Sequence, residues 1–498
     1  MKRFVFLLYA ALLGACWQPV VKDETSVRAV EIGELKRAVT AEMVADLDGA
    51  PELAARAALA IGRTKKPEGA PPLRAHLSAV DPSVRAMVVY GLGLLADADS
   101  IPDIRRATHD ANSAVRYAAL DALGRIYAVA SAASLREDAA NEILATGTSD
   151  PDPVVRGHAL VQLDAFRKLS FAPAIAKQLQ RSETDDRDRD VRWHAAWMLF
   201  RAYAKYADLT YLAHATHDPE ELVRVETVRA LGRRKEIAAI AIVRPLLNDP
   251  SWRVQFEARE ALRRLTLVPA TEHLKTMPAG IHLPAISAAP VPAPSVTYVD
   301  SPFVNSYGPA AAASPSPTQT LGPPDPASFP LGAPLLPRSA SDLNGPAPGP
   351  HPRVLLHTTK GDVLIRMYPE WAPSTVANFL QLAAAGYFDG NRWFRIVPDF
   401  VVQTGDKTNT GDGDAGYMIP AEENPVEQRA GIIAMGLNYD AAGAERDSAG
   451  TQFYVNLSPQ PHLDRAFSVF GEVASGFPVL AHLDESDRII TARRLCDD

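Results

Sequence analysis

The fold of the C-terminal third is decided by the stretch from Trp393 to Asp406, which reads WFRIVPDFVVQTGD. Its short apolar runs are separated by a proline and followed by a glycine, which is typical of short strands joined by turns. Upstream, Val354 to Thr359 and Gly361 to Tyr368 alternate around a Lys360-Gly361 turn and predict two paired strands. Pro373 to Ala385 is predicted to be a helix. Together these segments predict a β-barrel with flanking helices.

Seven sequence motifs follow one another in this part of the chain without large gaps. They read TKGD (359–362), YPEWAPSTVANF (368–379), GYFDG (386–390), WFRIVPDFVVQTGD (393–406), GIIAMG (431–436), DSAGTQFYV (447–455), and HLD (462–464) leading to VFGEV (469–473). In this order they resemble the cyclophilin-type peptidyl-prolyl cis-trans isomerases, and the resemblance covers residues 351–498. It implies a domain that isomerises X-Pro bonds in proline-containing polypeptides and requires no metal, nucleotide or other cofactor.

The chemistry of this reaction explains why a fixed cation is needed. The X-Pro bond resists rotation by ~18–20 kcal/mol, because the nitrogen lone pair is delocalised into the carbonyl group. A cation that donates toward this nitrogen as the bond twists localises the lone pair and stabilises only the transition state. The resemblance assigns this catalytic role to Arg395. It assigns to Gln403 the task of fixing the arginine and the substrate carbonyl.

The resemblance also implies an apolar pocket for the proline ring and a strip of backbone that pairs with the substrate chain. These substrate-binding residues are Phe400, Val401, Met435, Gly436, Leu437, Gln452, Phe453, Tyr454, His462, Leu463 and Phe467. His462 stands where many eukaryotic members have tryptophan, and Val401 and Phe467 also depart from frequent choices. Tyr454 replaces a phenylalanine, so its hydroxyl needs a hydrogen-bond partner. These changes are expected to lower or reshape activity more than abolish it.

Other interpretations of the same residues remain open. Phe400, Met435 and Phe453 could belong to the hydrophobic core, as apolar side chains usually do. Arg395 and Gln403 could form a purely structural contact. The whole domain could then be a catalytically weak or silent scaffold that only binds proline-containing segments.

Residues 34–266 contain a repeated phrase in which an Asp-Pro turn and an arginine precede an Ala/Leu-rich run. The arginines are Arg56, Arg85, Arg116, Arg156, Arg192, Arg224 and Arg253, separated by 29, 31, 40, 36, 32 and 29 residues. Asp-Pro favours a capped helix start, small residues allow close helix packing, and a glycine near the end of each run predicts a helix stop. The pattern resembles short HEAT-type repeats, which stack into an α-solenoid.

The repeated charges have a structural and a functional interpretation. We expect the aspartates and arginines of the turns to form a ladder of ion pairs between repeats. The alternating run Asp185 to Asp190 is expected to be a solvated turn instead of a metal site. Solenoids of this type usually bind another protein on their concave face, so an unidentified protein partner is expected there.

Residues 267–350 are rich in proline, alanine, serine and glycine, with no helical or strand period. Such a composition predicts an extended, semi-stiff linker between the two folded parts.

The first residues resemble a bacterial lipoprotein signal peptide. Lys2 and Arg3 precede a short apolar run, which ends in Leu13-Gly14-Ala15-Cys16. The resemblance implies cleavage after residue 15 and lipidation of Cys16, because small residues before a cysteine match the family's cleavage site. Trp17, the next residue, favours the periplasmic face of the outer membrane. We therefore expect a protein of the bacterial cell envelope held to the membrane by a lipid anchor.

Composition limits the remaining function classes. The 498-residue chain has a formal net charge of -8 and only two cysteines. An acidic chain without a basic face is a poor nucleic-acid binder, so no nucleic-acid partner is expected. Two cysteines are too few for a disulfide scaffold or a cysteine-rich zinc site.

Overall fold

The computed structural model describes residues 24–129, 133–166, 172–266, 339–345, 351–440 and 443–495. The predicted signal peptide with Cys16, and the predicted linker apart from residues 339–345, lie outside these ranges. Among the helices described, none combines the length and apolarity needed to cross a bilayer.

The N-terminal part is an array of helix pairs that begins at Glu24, earlier than residue 34. The helices are α1 (Glu24–Leu35), α2 (Ala41–Asp46), α3 (Pro51–Arg63), α4 (Ala70–Ala75), α5 (Pro82–Leu94), α6 (Ile101–Ala107), α7 (Ser113–Val129), α8 (Ala133–Ser149), α9 (Pro153–Gln162), α10 (Ala172–Asp185), α11 (Arg189–Met198), α12 (Leu209–Ala215), α13 (Glu221–Arg233), α14 (Ala238–Val243) and α15 (Trp252–Thr266). Each repeated arginine lies in the second helix of its pair, and neighbouring second helices pack on one another. The predicted α-solenoid is confirmed.

The Asp-Pro turns act in two ways, of which the sequence predicted one. Asp81 caps α5 directly, because its carboxylate accepts from the backbone N–H of Ser83 at 2.8 Å. In the last repeat, however, Asp249 lies before the helix start and accepts from Ser251 N at 2.8 Å. Its carboxylate also binds Arg224, through Nε at 2.9 Å. The aspartate there orders the turn and leaves the cap position to another residue.

The predicted ladder of ion pairs is present along the repeats. Five of the seven arginines reach the turn aspartate of the following repeat at a separation of 2.7–3.0 Å. The pairs are Arg85–Asp110, Arg116–Asp150, Arg156–Asp186, Arg192–Asp218 and Arg224–Asp249. Asp186 belongs to the run Asp185 to Asp190, and no metal-binding group occurs among the described residues.

The glycines near the helix ends do not stop the helices, and this prediction is wrong. Gly62 lies inside α3 and Gly91 lies inside α5. A Cβ atom on Gly62 would lie 2.6 Å from Gly91 Cα, which no real side chain tolerates. These glycines therefore permit two second helices to touch backbone to backbone. The left-handed residues that end these helices come later, at Lys65 and Ala96.

The C-terminal part is a curled eight-stranded sheet with helices packed against it. Its elements are β1 (Arg353–Thr358), β2 (Gly361–Met367), α16 (Pro373–Ala384), β3 (Arg395–Val397), β4 (Val401–Thr404), β5 (Ile432–Met435), β6 (Tyr439–Asp440), β7 (Gly443–Ala444), β8 (Phe453–Asn456), β9 (Val469–Ser475), α17 (Phe477–Leu480) and β10 (Ile489–Leu495). The strand order is β10-β1-β2-β9-β5-β8-β4-β3, while β6 and β7 form a separate hairpin. An isolated bridge between Arg392 and Arg488 brings the two edges together. The barrel-like fold that the sequence predicts is confirmed.

The two parts pack against each other through the second helices. We call the contacting surface the inner face; it includes Arg63, Tyr117, Asp121, Arg125, His158, Arg229 and Arg253. Arg63 has a fully buried side chain and donates from Nε to Glu423 O at 2.7 Å. Its Nη2 donates to Trp371 O at 2.6 Å, and its Nη1 binds Glu34 Oε1 at 2.7 Å. One solenoid side chain thus satisfies two carbonyl groups of the C-terminal domain.

A second contact surrounds the carboxylate of Glu423. Lys65 Nζ lies 2.8 Å away, Arg446 Nε lies 2.9 Å away, and Arg125 Nη1 lies 3.5 Å away. Burial alone would raise the pKa of this carboxyl, but the three cations outweigh it and lower the pKa to about 2. Glu423 is therefore ionised over the whole physiological range, and its charge is compensated across the interface.

A third contact joins the middle of the solenoid to the loop that precedes β5. Tyr117 Oη donates to Glu427 Oε1 at 3.2 Å, and the His158 ring stacks on Tyr117 at 3.6 Å. Arg465 Nη1 lies 3.2 Å from Asp121 Oδ1. The inner face of the solenoid is thus in contact with a domain of the same chain.

The structure also describes a short segment of the predicted linker, residues 339–345. Ala340–Asn344 is a short 3-10 helix, and the side chains of Ala340 and Leu343 are buried. Ala340 N donates to Ser113 Oγ at 2.9 Å, and Trp371 Nε1 donates to Gly345 O at 2.9 Å. The composition predicted little to bury here, and the difference arises because Leu343 meets the solenoid surface.

Candidate active site

The register of three strands brings the polar site residues together. Arg395 on β3 is opposite Gln403 on β4, and Gln403 is opposite Tyr454 on β8. Arg395 Nη1 donates to Gln403 Oε1 at 3.1 Å. Gln403 Nε2 donates to Gln452 Oε1 at 3.0 Å, and Gln452 Nε2 donates to Gly411 O at 2.7 Å. A chain of amides therefore fixes the orientation of the guanidinium.

Apolar side chains form a cluster on the side of the sheet that carries this guanidinium. Val401, Tyr454, Leu463 and Phe467 are each at least 94% buried, whereas Phe400 is only half-buried. The Tyr454 and Phe467 rings meet edge to face at 5.6 Å. These residues belong to one hydrophobic cluster, which they share with the solenoid.

Phe400 links the apolar cluster to the cation. Its ring lies parallel to the His462 imidazole, at 5.7 Å between centroids and 16° between planes. The Arg395 guanidinium carbon lies 5.5 Å from the centroid of the Phe400 ring. Burial, together with the nearby charge of Arg201 on the solenoid, lowers the pKa of His462 to about 3, so the imidazole is neutral at physiological pH.

Met435 and Phe453 do not contribute side chains to this cluster, which corrects their prediction as pocket residues. Successive side chains of a strand point to opposite faces, and Met435 pairs with Phe453 in the register of β5 and β8. Both side chains are at least 99% buried in the barrel interior. Phe453 packs there edge to face against Phe379 at 5.2 Å. The core interpretation that the sequence left open is therefore correct for these two residues.

The predicted backbone strip lies directly beside the amide chain. Gly436 N donates to Gln452 O at 2.8 Å, and Leu437 follows it with a partly buried side chain. A Cβ atom at position 436 would lie 3.2 Å from Gln403 Nε2. A small residue is therefore needed here so that Gln403 can reach both Arg395 and Gln452.

The hydroxyl that Tyr454 adds is buried without a well-formed hydrogen bond to any residue in the described ranges. Burial raises its pKa well above the ordinary value for tyrosine, and the Gln428 side chain partly opposes this rise. The hydrogen-bond partner that this hydroxyl was expected to need is therefore represented only by the nearby side-chain amide of Gln428.

Asp399 is a residue of this region that the motif assignment did not single out. It precedes Phe400 and adopts a left-handed backbone conformation with φ +56°. Its carboxylate lies 2.6 Å from Arg229 Nη2 and 3.3 Å from Arg253 Nε, both on the inner face. No local sequence signal joins residues so far apart, although Arg253 belongs to the repeated arginine series.

Comparison with known proteins agrees with this geometry. The family model described as cyclophilin type peptidyl-prolyl cis-trans isomerase/CLD matches residues 353–494, and a HEAT repeat model matches residues 40–124, 70–143 and 209–278. A peptidyl-prolyl cis-trans isomerase of Synechococcus elongatus is 35% identical over 147 residues, covering 29% of this chain and 97% of the relative. Peptidyl-prolyl cis-trans isomerase B of Bacillus subtilis is 42% identical over 123 residues, covering 24% of this chain and 82% of the relative.

A solved cyclophilin-type isomerase from Cryptosporidium parvum is 25% identical, with a TM-score of 0.28, and covers 30% of this chain and 100% of that chain. The two sequence relatives are matched over most of their own length, so the family assignment does not depend on this structure. The family model and the two sequence relatives identify the C-terminal unit as a proline isomerase domain. The chain belongs to the cyclophilin-type peptidyl-prolyl cis-trans isomerase family and carries HEAT repeats in its N-terminal part.

Proposed function

We propose that this domain catalyses isomerisation with Arg395 as the catalytic residue, Gln403 as its positioning residue and the cluster around Phe400 as the proline pocket. The observation that carries the proposal is the Arg395–Gln403 hydrogen bond at 3.1 Å beside that cluster. The guanidinium stays charged at all relevant pH values and donates in a fixed fork. It can therefore meet the proline nitrogen as the bond twists and its lone pair localises.

Substitution of the arginine tests this proposal in the full chain. We expect Arg395→Ala to lower the catalysed rate of X-Pro exchange at least 100-fold, because a contact made only in the transition state is removed. NMR exchange spectroscopy on a proline tetrapeptide measures the rate and the binding together. Arg392→Ala, which removes an exposed arginine on the same segment, is the matched control and should retain wild-type exchange.

The two functions that the sequence left open give different results in this experiment. Equal exchange rates for Arg395→Ala and the wild type would exclude Arg395 as the catalytic residue. A wild-type protein that binds the tetrapeptide without accelerating its exchange would be a proline-peptide scaffold.

We further propose that the clients are polypeptides of the bacterial cell envelope and that the protein is anchored to the membrane through Cys16. The support is the sequence pattern at residues 2–16. Cys16→Ser should move the protein from the membrane fraction to the soluble fraction on ultracentrifugation. Persistence of the variant in the membrane fraction would contradict the anchor.

The protein partner of the solenoid also remains a proposal. Inner-face residues such as Arg63 and Tyr117 already contact the isomerase domain. A partner would therefore have to use another surface of the repeats or displace that domain. Affinity capture with the wild type and with a variant that weakens the interface, such as Arg63→Met, distinguishes these two modes.

A further inference from the structure

The solenoid holds the turn that carries the proline pocket wall, through the carboxylate of Asp399. Arg229 Nη2 lies 2.6 Å from Asp399 Oδ2, and Arg253 Nε lies 3.3 Å from Oδ1. Only 9% of the Asp399 side chain is exposed. Burial raises the pKa of this carboxyl, and the two arginines oppose that rise. Without them, a buried charge would lack compensation.

Arg229 is itself fixed within the solenoid. Its Nη1 lies 2.7 Å from Glu226 Oε1, and its Nη2 lies 2.8 Å from Glu257 Oε1. These two carboxylates come from α13 and α15, so they fix the guanidinium from both helices. The Arg229 guanidinium is therefore already held in place when it donates to Asp399.

Arg253 is the last member of the repeated arginine series. In the five ladder pairs, each arginine binds the turn aspartate of the repeat that follows. No repeat follows α15 within the described residues. Asp399 of the isomerase domain instead lies 3.3 Å from Arg253 Nε. The isomerase domain thus supplies an aspartate where the solenoid has none of its own.

The turn at Asp399 and Phe400 depends on contacts from several sides. A left-handed conformation is unfavourable for a non-glycine residue, so the φ of +56° must be imposed by surrounding contacts. Ser458 Oγ donates to Asp399 O at 2.5 Å, and Leu457 N donates to Phe400 O at 2.8 Å. The solenoid arginines add the contact to the side chain. The next residue, Phe400, is then presented between His462 and Arg395.

We propose that Arg229 and Arg253 are positioning residues for the proline pocket: they bind Asp399 and so set the place of Phe400 beside Arg395. The proposal deepens the proposed function and rests on it, because it assumes that the Phe400 cluster binds proline. It assigns the solenoid a direct part in substrate affinity. The ring of Phe400 contacts substrate before and during the twist, so its loss affects binding more than the chemical step.

A double-mutant cycle in the full chain tests the proposal, with Arg229→Gln, Asp399→Asn and both together. Asparagine tolerates the left-handed conformation and keeps the size of aspartate. We expect each single variant to raise the Kd for the proline tetrapeptide about tenfold, within the coupling range of contacting residues. The double variant should bind the peptide no more weakly than either single variant does. The exchange rate of bound peptide should stay within about twofold of the wild type.

The matched control is Arg224→Gln, which lies on the same helix and removes the ladder pair with Asp249. It should lower the melting temperature without changing the Kd. Arg229→Lys keeps the charge and should restore part of the affinity lost in Arg229→Gln.

The outcomes separate this proposal from the proposed function. Wild-type Kd values for both Arg229→Gln and Asp399→Asn would overturn the positioning role and leave the isomerase proposal intact. Additive effects in the double variant would also overturn it, because Arg229 would then act independently of Asp399. If Arg395→Ala exchanges the peptide like the wild type while the cycle is non-additive, the catalytic assignment fails and the positioning role stands.

Discussion

Two sets of arginines on the solenoid helices differ in the groups that they bind. The ladder arginines, such as Arg156, occur once per repeat and bind the aspartate of the next turn with their side chains partly exposed. The inner-face arginines, such as Arg63 and Arg229, follow no repeat and contact the isomerase domain, at partners 308 and 170 residues away along the chain. Arg253 belongs to both sets, since it ends the ladder and contacts Asp399.

The difference shows that one residue type has two separable uses in this fold. Ladder pairs stabilise neighbouring repeats, so each effect should stay local. Inner-face arginines bind carbonyl and carboxylate groups of the isomerase domain, as Arg63 and Arg229 do, so their removal leaves buried polar atoms without a partner. Stability and substrate binding should therefore respond differently to the two sets.

The largest effect is expected for Arg63→Met. The change keeps an apolar stem but removes the donor to the carbonyl groups of Trp371 and Glu423, and it removes one of the two arginines that pair with Glu34. Breaking a buried charge network typically costs about 3–5 kcal/mol. Urea denaturation of the full chain should show this loss in the free energy of unfolding. Arg263→Ala, which removes a half-exposed pair with Glu260, is the control and should change it by less than about 0.5 kcal/mol. Equal effects of both changes would remove the distinction between inner-face and surface arginines.

A smaller effect, with a defined pH dependence, is expected for Glu423→Gln. The folded pKa of Glu423 is lowered from 4.5 to about 2, so its contribution is complete above the unfolded value and is lost as pH falls through the folded value. A shift of this size corresponds to about 3 kcal/mol. The wild type should lose this stability between about pH 5 and pH 2. The free energy of unfolding of the variant should fall less steeply over the same pH range. Parallel curves for the two proteins would show that Lys65, Arg125 and Arg446 do not stabilise the charge.

The smallest effect is expected within the ladder. Arg156→Ala removes the contact with Asp186 and a hydrogen bond to Asp150 O, both partly exposed, and should cost about 1–2 kcal/mol. Hydrogen exchange should rise in α9, α10 and α11, while the Kd for the proline tetrapeptide stays at the wild-type value. A higher Kd would show that the ladder contacts also affect substrate binding.

The site could be predicted in part, because the motif match located Arg395, Gln403 and the apolar residues near them. The motif match does not show which side chains lie on the same face of the sheet. For this reason it predicted that Met435 and Phe453 belong to the pocket. Only the register of β5 and β8 separates them from Tyr454, since neighbouring residues on a strand point to opposite faces. The glycines of the repeats could not be interpreted from the sequence for a similar reason. A glycine is needed at position 62 because Gly91 of another helix lies against it, and only the packing of the two helices shows this.

The sequence by itself determined the repeat, the ladder of ion pairs and the isomerase fold. Each of these follows from local patterns or from neighbours at a regular spacing, where the same short-range forces act in every copy. Only the tertiary structure decided that the inner face contacts the isomerase domain and that Asp399 meets Arg229 and Arg253. Such contacts join surfaces that are distant along the chain, and their geometry depends on the shape of both domains instead of on any local period.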